Sequence, residues 1–327
     1  MRLLLTGATG FVGRNLLLQA LPLYETVGVP VRSVEKLRKQ LAAEGLDPSP
    51  PNLQILSSDP ANWRDLHPDH AILGAGILFA RTREEYFSTN VDWSLQGVRS
   101  LPETCQTVVI SSLSAGGPTP ENRAARTEID SDQPLTWYGT SKVTLEKALR
   151  AEFPHRNLTI LRPPMILGPR DTATLPLFRM AGNFFRLKPG LKTKTYSFLA
   201  VEDLVDAIFT ALNSPSLLPP ESYYLAAPKT LTDRELIAAV AACRQARGLT
   251  VPLPQPAMRL LSFLVDAIPA LRDQLPSLTR DRAKEIWPSR WVCDGTRFSS
   301  LSGWHPHRKL PETLEAAHEY FQREGLL

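Results

Sequence analysis

The sequence predicts an α/β fold: a doubly wound parallel sheet of the Rossmann type, followed by a smaller, mixed α/β lobe. Three observations carry this. Short β-rich runs alternate with stretches of helically spaced apolar residues through the first half of the chain. A glycine-rich turn, "TGATGFVG", follows the first of those runs. Past about Arg162 the alternation loosens and prolines gather in stretches such as "VPLPQPAMRL".

In chain order, strands are expected at 2–5, 26–31, 52–56, 71–79, 107–111 and 158–161, and helices at 10–21, 34–43, 86–101 and 138–151. Six strands in this arrangement suit a dinucleotide-binding sheet. The stretch "TYSFLAVEDLVDAIFTAL" again reads as strand, turn and helix, with Glu202 and Asp203 at the helix start where acids suit the dipole. The expected organisation is therefore a dinucleotide-binding domain over 1–167, to which 195–213 return, and a substrate-binding domain over 168–194 and 214–327.

At 327 residues the chain is long enough to bury one large core or two interlocked ones. A net charge of +4 arises from scattered Lys and Arg, with no dense basic run to suggest nucleic acid as a partner. Cys105, Cys243 and Cys293 are far apart and odd in number, so neither a disulfide framework nor a metal site is expected. With no leader-like or membrane-spanning apolar segment, a soluble cytoplasmic protein with a small-molecule substrate and no membrane partner is expected.

The glycine turn has a physical logic. A strand ending at Gly7 must turn sharply, the backbone near Gly10 must approach a diphosphate, and Gly13 must let helix and strand pack closely. Thr9, Phe11, Val12 and Arg14 belong to the same cradle. The end of the second strand separates the cofactors, since a carboxylate there binds the ribose 2′-hydroxyl of NAD and an Arg the 2′-phosphate of NADP. Arg32 stands there and no acid does, so NADP is favoured over NAD, with Arg14 as a second cation; both arginines are also compatible with solvated helix starts. Asp59, after the third strand, either reaches the adenine or caps its own turn.

"TWYGTSKVTLEKAL" places Tyr138 and Lys142 four residues apart on one helix face. A neighbouring ammonium favours the phenolate, so Tyr138 is the candidate acid/base and Lys142 its partner, which also holds the ribose hydroxyls. Ser111 and Ser112 end a buried strand where a hydroxyl could stabilise charge on a substrate oxygen.

These motifs resemble the extended short-chain dehydrogenase/reductases, also called the NAD-dependent epimerase/dehydratase family. "TGATGFVG" resembles the family's TGxxGxxG turn, "TNVDWSLQGV" its NVxGTxNV helix, "SSLSAGGP" its SSxxxxGP strand end and "YGTSK" its YxxxK motif. "LRPPMILGPRD" resembles RPxxxYGPxD, and "SFLAVEDLVDAI" and "SGWHPHRKLPETLEAAHEYF" resemble two later family segments. The resemblance implies Ser112 rather than Ser111 as the catalytic hydroxyl, Ser111 instead at the cofactor, Asn90, the structurally important Asn, as a catalytic and cofactor-binding residue, and Pro163 and Pro164 beside the nicotinamide. It also implies a cofactor contact for Gly74, Ala75 and Gly76, and a homodimer through the helices beginning near Tyr86 and Tyr138. The chain departs from the pattern in "LGAGILFART", where many members have HxAA, and at Leu167, where they have Tyr.

Two enzymatic readings follow. One is an oxidoreductase acting at a secondary alcohol or ketone, as in the hydroxysteroid dehydrogenase and dihydroflavonol reductase-like members; the other is a nucleotide-sugar epimerase or dehydratase. A non-catalytic cofactor-binding scaffold or redox sensor is the alternative of another class, and such proteins usually lack the Tyr or Lys. "RMAGNFFRLKPGLKTK" supplies Arg179, Asn183, Arg186 and Lys188, either for a sugar nucleotide or as a solvated helix face. Apolar "MRLLSFLVDAI" reads as a less polar pocket or as a plain amphipathic helix against the core.

Overall fold

A computed structural model describes residues 1–214 and 218–327, so the proline-rich "SPSLLPP" loop lies partly outside the described residues. The first half runs β1 (Arg2–Thr6), α1 (Phe11–Ala20), β2 (Thr26–Pro30), α2 (Val34–Ala43), β3 (Leu53–Leu56), β4 (His70–Leu73), α3 (Arg83–Phe87), α4 (Trp93–Ser100), β5 (Gln106–Ile110), α5 (Leu113–Gly116), α6 (Trp137–Glu152) and β6 (Leu158–Arg162). Then come β7 (Met165–Leu167), α7 (Leu175–Ala181), β8 (Phe185–Pro189), β9 (Thr195–Tyr196), β10 (Phe198–Ala200), α8 (Val201–Asn213) and β11 (Ser222–Tyr224). The chain finishes with β12 (Leu231–Thr232), α9 (Asp233–Cys243), β13 (Leu249–Leu253), α10 (Gln255–Ala267), α11 (Pro269–Gln274), β14 (Arg290–Trp291), α12 (Thr296–Ser302) and α13 (Leu310–Arg323).

The main sheet has seven strands in the order β11-β6-β5-β4-β1-β2-β3. Every pairing in it is parallel. The order reverses beside β1, and ligands of such sheets sit at the carboxyl ends of the strands flanking that point. Leu3, Leu4 and Leu5 of β1 are fully buried. Alternation sends Leu3 and Leu5 into the layer built with α1, α2 and α8, and Leu4 into the layer built with α4 and α6. A third core joins α7, α9 and α13 in the smaller lobe.

Three expectations need correction. The sheet has a seventh strand, Ser222–Tyr224, which pairs with β6 although the sequence placed 214–327 in the substrate lobe. Phe298 of α12 and Trp304 likewise pack into the first layer's core. β4 stops at Leu73, because Gly74 to Gly76 lead into a loop that serves the site. The helix expected over 86–101 runs without a break from Arg83 to Ser100, but it starts earlier and carries a π-helical turn, Ser88–Asp92, between α3 and α4. α10 fits the second of the two readings of its sequence, an amphipathic helix: it buries Met258, Ser262 and Val265 at helical spacing and leaves the opposite face exposed. Asp203, in the first turn of α8, is fully buried and accepts the backbone N–H groups of His307 and Arg308, tying the C-terminal segment to the sheet.

Candidate active site

Gly7 ends β1 with a φ of +76°, the left-handed region that favours glycine. The Gly10 N–H donates to the Gly7 carbonyl at 2.8 Å, closing the turn. A Cβ on Gly13 would lie 1.9 Å from the Gly7 oxygen, so no side chain fits between helix and strand. At Gly10 a Cβ would meet only that oxygen, at 3.3 Å, and otherwise point into open space. The α1 terminus has no side-chain cap and no acid in its first turn, so the N–H groups of Phe11, Val12 and Gly13 are available to an anion. Thr9 shares this turn, its carbonyl accepting from Gln40 at 3.2 Å. A dinucleotide diphosphate fits this cradle.

The loop after β4 comes very close: a Cβ on Gly7 would lie 2.9 Å from the Ala75 nitrogen. The Ala75 N–H donates to the Thr6 hydroxyl at 3.0 Å, a fastening that the glycine pattern does not announce. A Cβ on Gly76 would press on Asn90 Oδ1 at 3.1 Å and Lys142 Nζ at 3.2 Å. Fully buried Asn90, in the π-helical turn, grips both backbone polar groups of one residue, Ile77. Its Oδ1 accepts from the Ile77 N–H at 2.8 Å and its Nδ2 donates to the Ile77 carbonyl at 3.2 Å. Nδ2 also donates to the Ser141 hydroxyl at 3.0 Å. Asn90 is thus a positioning residue joining the β4 loop to the helix that carries Tyr138 and Lys142.

Thr136 caps α6, accepting the Gly139 N–H at 3.1 Å. Tyr138 follows in the first turn, and Lys142 one turn later donates to the Ile110 carbonyl at 3.0 Å. Lys142 is buried, and that desolvation pulls its ammonium down to about 8. Burial raises the Tyr138 phenol; Arg282 and the neighbouring Ser112 hydroxyl pull it the other way. The cation acting on Tyr138 is therefore chiefly Arg282 rather than the expected Lys142. The Arg282 guanidinium lies 5.1 Å from the Tyr138 ring centroid, and Lys142 Nζ 6.0 Å from it.

Arg282 comes from a short turn packed on the start of α6. There Asp281 accepts the Trp137 N–H at 2.9 Å, and Glu285 takes the Thr136 hydroxyl at 2.7 Å and Arg282 at 3.0 Å. Sequence reading missed this turn, since nothing in "TRDRAKEI" marks it as part of the site. The same segment helps enclose a cavity of about 440 Å³ bounded by Tyr86, Trp137, Arg81, Arg272, Arg280 and Arg282.

Ser112 caps α5 through the Ser114 N–H at 3.1 Å, and the Pro163 carbonyl accepts the Leu113 N–H at 2.9 Å beside it. Pro163 and Pro164 are both buried. Ser111, expected at the cofactor, instead turns its hydroxyl to Glu146 in a buried cluster. Glu146 accepts from Arg162 at 2.7 Å and from Ser222 at 2.7 Å, while Arg162 also donates to Asp132 at 2.8 Å and to the Tyr224 hydroxyl at 2.8 Å. These bonds link α6 to β5, β6 and β11 beneath the site.

At the adenosine end, Arg32 is exposed after β2, next to Ser33, which caps α2 through the Lys36 N–H at 3.2 Å. Arg14 is committed elsewhere: it donates to Glu44 at 3.0 Å and to the Tyr320 hydroxyl at 3.0 Å. Ser33, Lys36 and Lys39 nevertheless line one cavity with Arg14, next to Arg32 in sequence. Asp59 caps its own turn through the Ala61 N–H at 3.0 Å. In the smaller lobe, Arg179 donates to the Leu326 carbonyl at 3.2 Å and Arg186 to the Ala246 carbonyl at 2.8 Å. Lys188 forms a buried pair with Asp233 at 2.5 Å. Arg186 and Lys188 are thus buried in structural bonds on β8, whereas Arg179 and Asn183 are exposed at the end of α7, as a solvated face would have them.

Cradle, Tyr-Lys helix and serine define a nucleotide-dependent enzyme of the short-chain dehydrogenase/reductase type. Residues 3–226 match the NAD dependent epimerase/dehydratase family, and the chain belongs to it. It is 27% identical to a ceramide reductase of Caulobacter vibrioides (strain NA1000 / CB15N), the match covering 88% of this chain and 84% of that one. Among solved structures it resembles UDP-glucose 4-epimerase of Thermotoga maritima, with a TM-score of 0.75, 18% identity and 99% of each chain covered. It also resembles RMD from Pseudomonas aeruginosa complexed with NADPH, with a TM-score of 0.71, 18% identity and 99% of each chain covered. Among the described residues no helix is long and apolar enough to cross a membrane.

The lowered Lys142 sets a pH dependence. With its ammonium needed in the site, kcat/KM is expected to fall as pH rises through about 8. Stability runs the other way: between about 8 and 10.5 the unfolded chain holds a proton that the folded one has released, so this group makes stability rise with pH. Rate and melting profiles over that window check both; a rate unchanged across it would remove Lys142 from the active protonation state.

Proposed function

We infer that the protein is an NADPH-linked reductase of a ketone on a long-chain, ceramide-like substrate, with Tyr138 as the proton donor. One observation carries the chemistry: the Tyr138 hydroxyl stands in the first turn of α6 beside Ser112, with Lys142 one turn later, a donor pair aimed at one carbonyl oxygen. The likeness to a ceramide reductase supports the substrate class.

In this reading Gly7, Gly10 and Gly13 would hold the cofactor's diphosphate, Lys142 its ribose, Gly74 to Gly76 its middle, Pro163 and Pro164 its nicotinamide end, and Arg32 with Ser33 and Lys36 its 2′-phosphate. When bound, the reduced nicotinamide supplies the hydride. Ser112 donates to the substrate carbonyl oxygen and holds it facing the phenol. Tyr138 then passes its proton to that oxygen as the carbonyl carbon becomes tetrahedral, and Arg282 stabilises the charge left on the ring. Asn90 keeps loop and helix at the required separation.

A second reading, a nucleotide-sugar epimerase, draws on Arg81, Arg272, Arg280 and Arg282 around the cavity, although Asp266 and Asp281 line it too and Arg81 and Arg282 already pair with Asp273 and Glu285. Mixing the purified protein with NADPH and a long-chain 3-oxo amide in detergent separates the two. Oxidation of NADPH in step with alcohol formation is expected. Interconversion of UDP-sugars by tightly retained NAD, without net oxidation, would replace the reductase reading. In fluorescence titrations NADPH should bind more tightly than NADH, and Arg32→Ala should weaken NADPH alone, by about tenfold.

A further inference from the structure

The paired strands β8 and β13 are inverted with respect to solvent. Arg186 and Lys188 point inward, 6% and 1% exposed. Phe185 and Leu187 point outward, 61% and 49% exposed. The parallel register sets Phe185 beside Leu249 and Leu187 beside Val251, and both partners are exposed too. Alternation puts all four on one face of the ribbon, an apolar surface left exposed by the described residues. Through Pro254 the ribbon leads directly into α10, whose outward face carries Leu260, Phe263 and Leu264 at helical spacing.

Charge indicates the occupant. The segments 182–194 and 244–265, which make up the ribbon, its flanks and most of α10, hold seven Lys and Arg and no Asp or Glu. Of these, Lys192, Arg247 and Arg259 are exposed. Apolar side chains bordered by the exposed cations Lys192, Arg247 and Arg259, with Asp266 at the end of α10 the nearest acid along the helix, match the interface of an anionic bilayer, where aromatic and aliphatic groups enter the acyl boundary and cations meet the phosphates. A second copy of the chain would face the same positive charge with its own. The face also adjoins the active site: Phe263 lines a cavity of about 390 Å³ shared with Arg280, and Arg280 also lines the cavity over Trp137 and Tyr86.

We propose that the β8–β13 ribbon and the outward face of α10 dock the enzyme on the surface of an anionic lipid bilayer. This departs from the expectation of no membrane partner, which rested on the lack of a spanning segment; a surface-docked face needs none. The docking stands on the surface alone and does not depend on the ketone-reductase reading.

Flotation with vesicles of phosphatidylcholine, with and without phosphatidylglycerol, tests it. The protein is expected to float only with the anionic vesicles and to be released by high salt. Leu187→Glu and Phe263→Glu should abolish flotation, and Arg247→Glu should weaken it about fivefold. Circular dichroism checks that these surface variants fold. Tyr138→Phe should float like the unaltered chain, which separates docking from catalysis. No binding to anionic vesicles, or undiminished binding by both glutamate variants, would overturn the proposal. So would a concentration-dependent dimer that those variants dissolve while vesicles bind nothing.

Discussion

Replacing Tyr138 with Phe will lower turnover by a factor on the order of a thousand, the usual loss on removing a positioned general acid, and leave NADPH affinity close to that of the unaltered chain. The substitution deletes one oxygen. The ring keeps its place 6.4 Å from Tyr86 and 5.1 Å from the Arg282 guanidinium, so the melting midpoint should barely move. Single-turnover kinetics with saturating NADPH is the measurement, because it isolates the chemical step from cofactor exchange. Turnover equal to the parent's would remove Tyr138 from its assigned role.

The second large effect is on stability. Glu146→Ala should destabilise the fold by about 3–5 kcal/mol, the range found when one partner of a buried ion pair is removed. Arg162 is only 4% exposed and would keep Asp132 as its remaining carboxylate, while Ser111 and Ser222 would lose their acceptor. Glu146→Gln tests the origin of the loss: it keeps an acceptor for the serines and removes the charge, so it should fall between parent and Ala variant. Urea unfolding followed by circular dichroism gives both values. An Ala variant as stable as its parent would show that the cluster contributes nothing net.

The parallel sheet was legible because four of its first six strands, β1, β2, β4 and β5, are short apolar runs followed by a helical one, and the glycine turn marks where β1 ends. β11 was not legible: "SYY" is three residues long, follows a proline-rich loop and gains its place only by pairing with β6. The π-helical turn at Asn90 escaped for a similar reason. Its cause lies in the Ile77 peptide, a partner thirteen residues away that no helical period encodes. Spacing put Tyr138 and Lys142 on one face correctly, yet it could not tell which cation bears on the phenol. Arg282 is 144 residues downstream of Tyr138 and arrives there by packing of the C-terminal lobe. Ser111 and Ser112 are indistinguishable by composition; strand alternation decides that one serves Glu146 and the other the site.

The contact between the turn carrying Asp281, Arg282 and Glu285 and the head of α6 bears on the order in which the protein is made. Chains leave the ribosome N-terminus first, and domains tend to fold as they emerge. Once Tyr224 is out, the seven-stranded sheet can close and the diphosphate cradle exists. At that moment the Trp137 N–H has no Asp281 to receive it and Tyr138 has no guanidinium over its ring. The strands and the glycine turn are thus complete before the last third of synthesis, which delivers the finishing pieces of the catalytic helix together with Phe298 and Trp304 of the sheet's core.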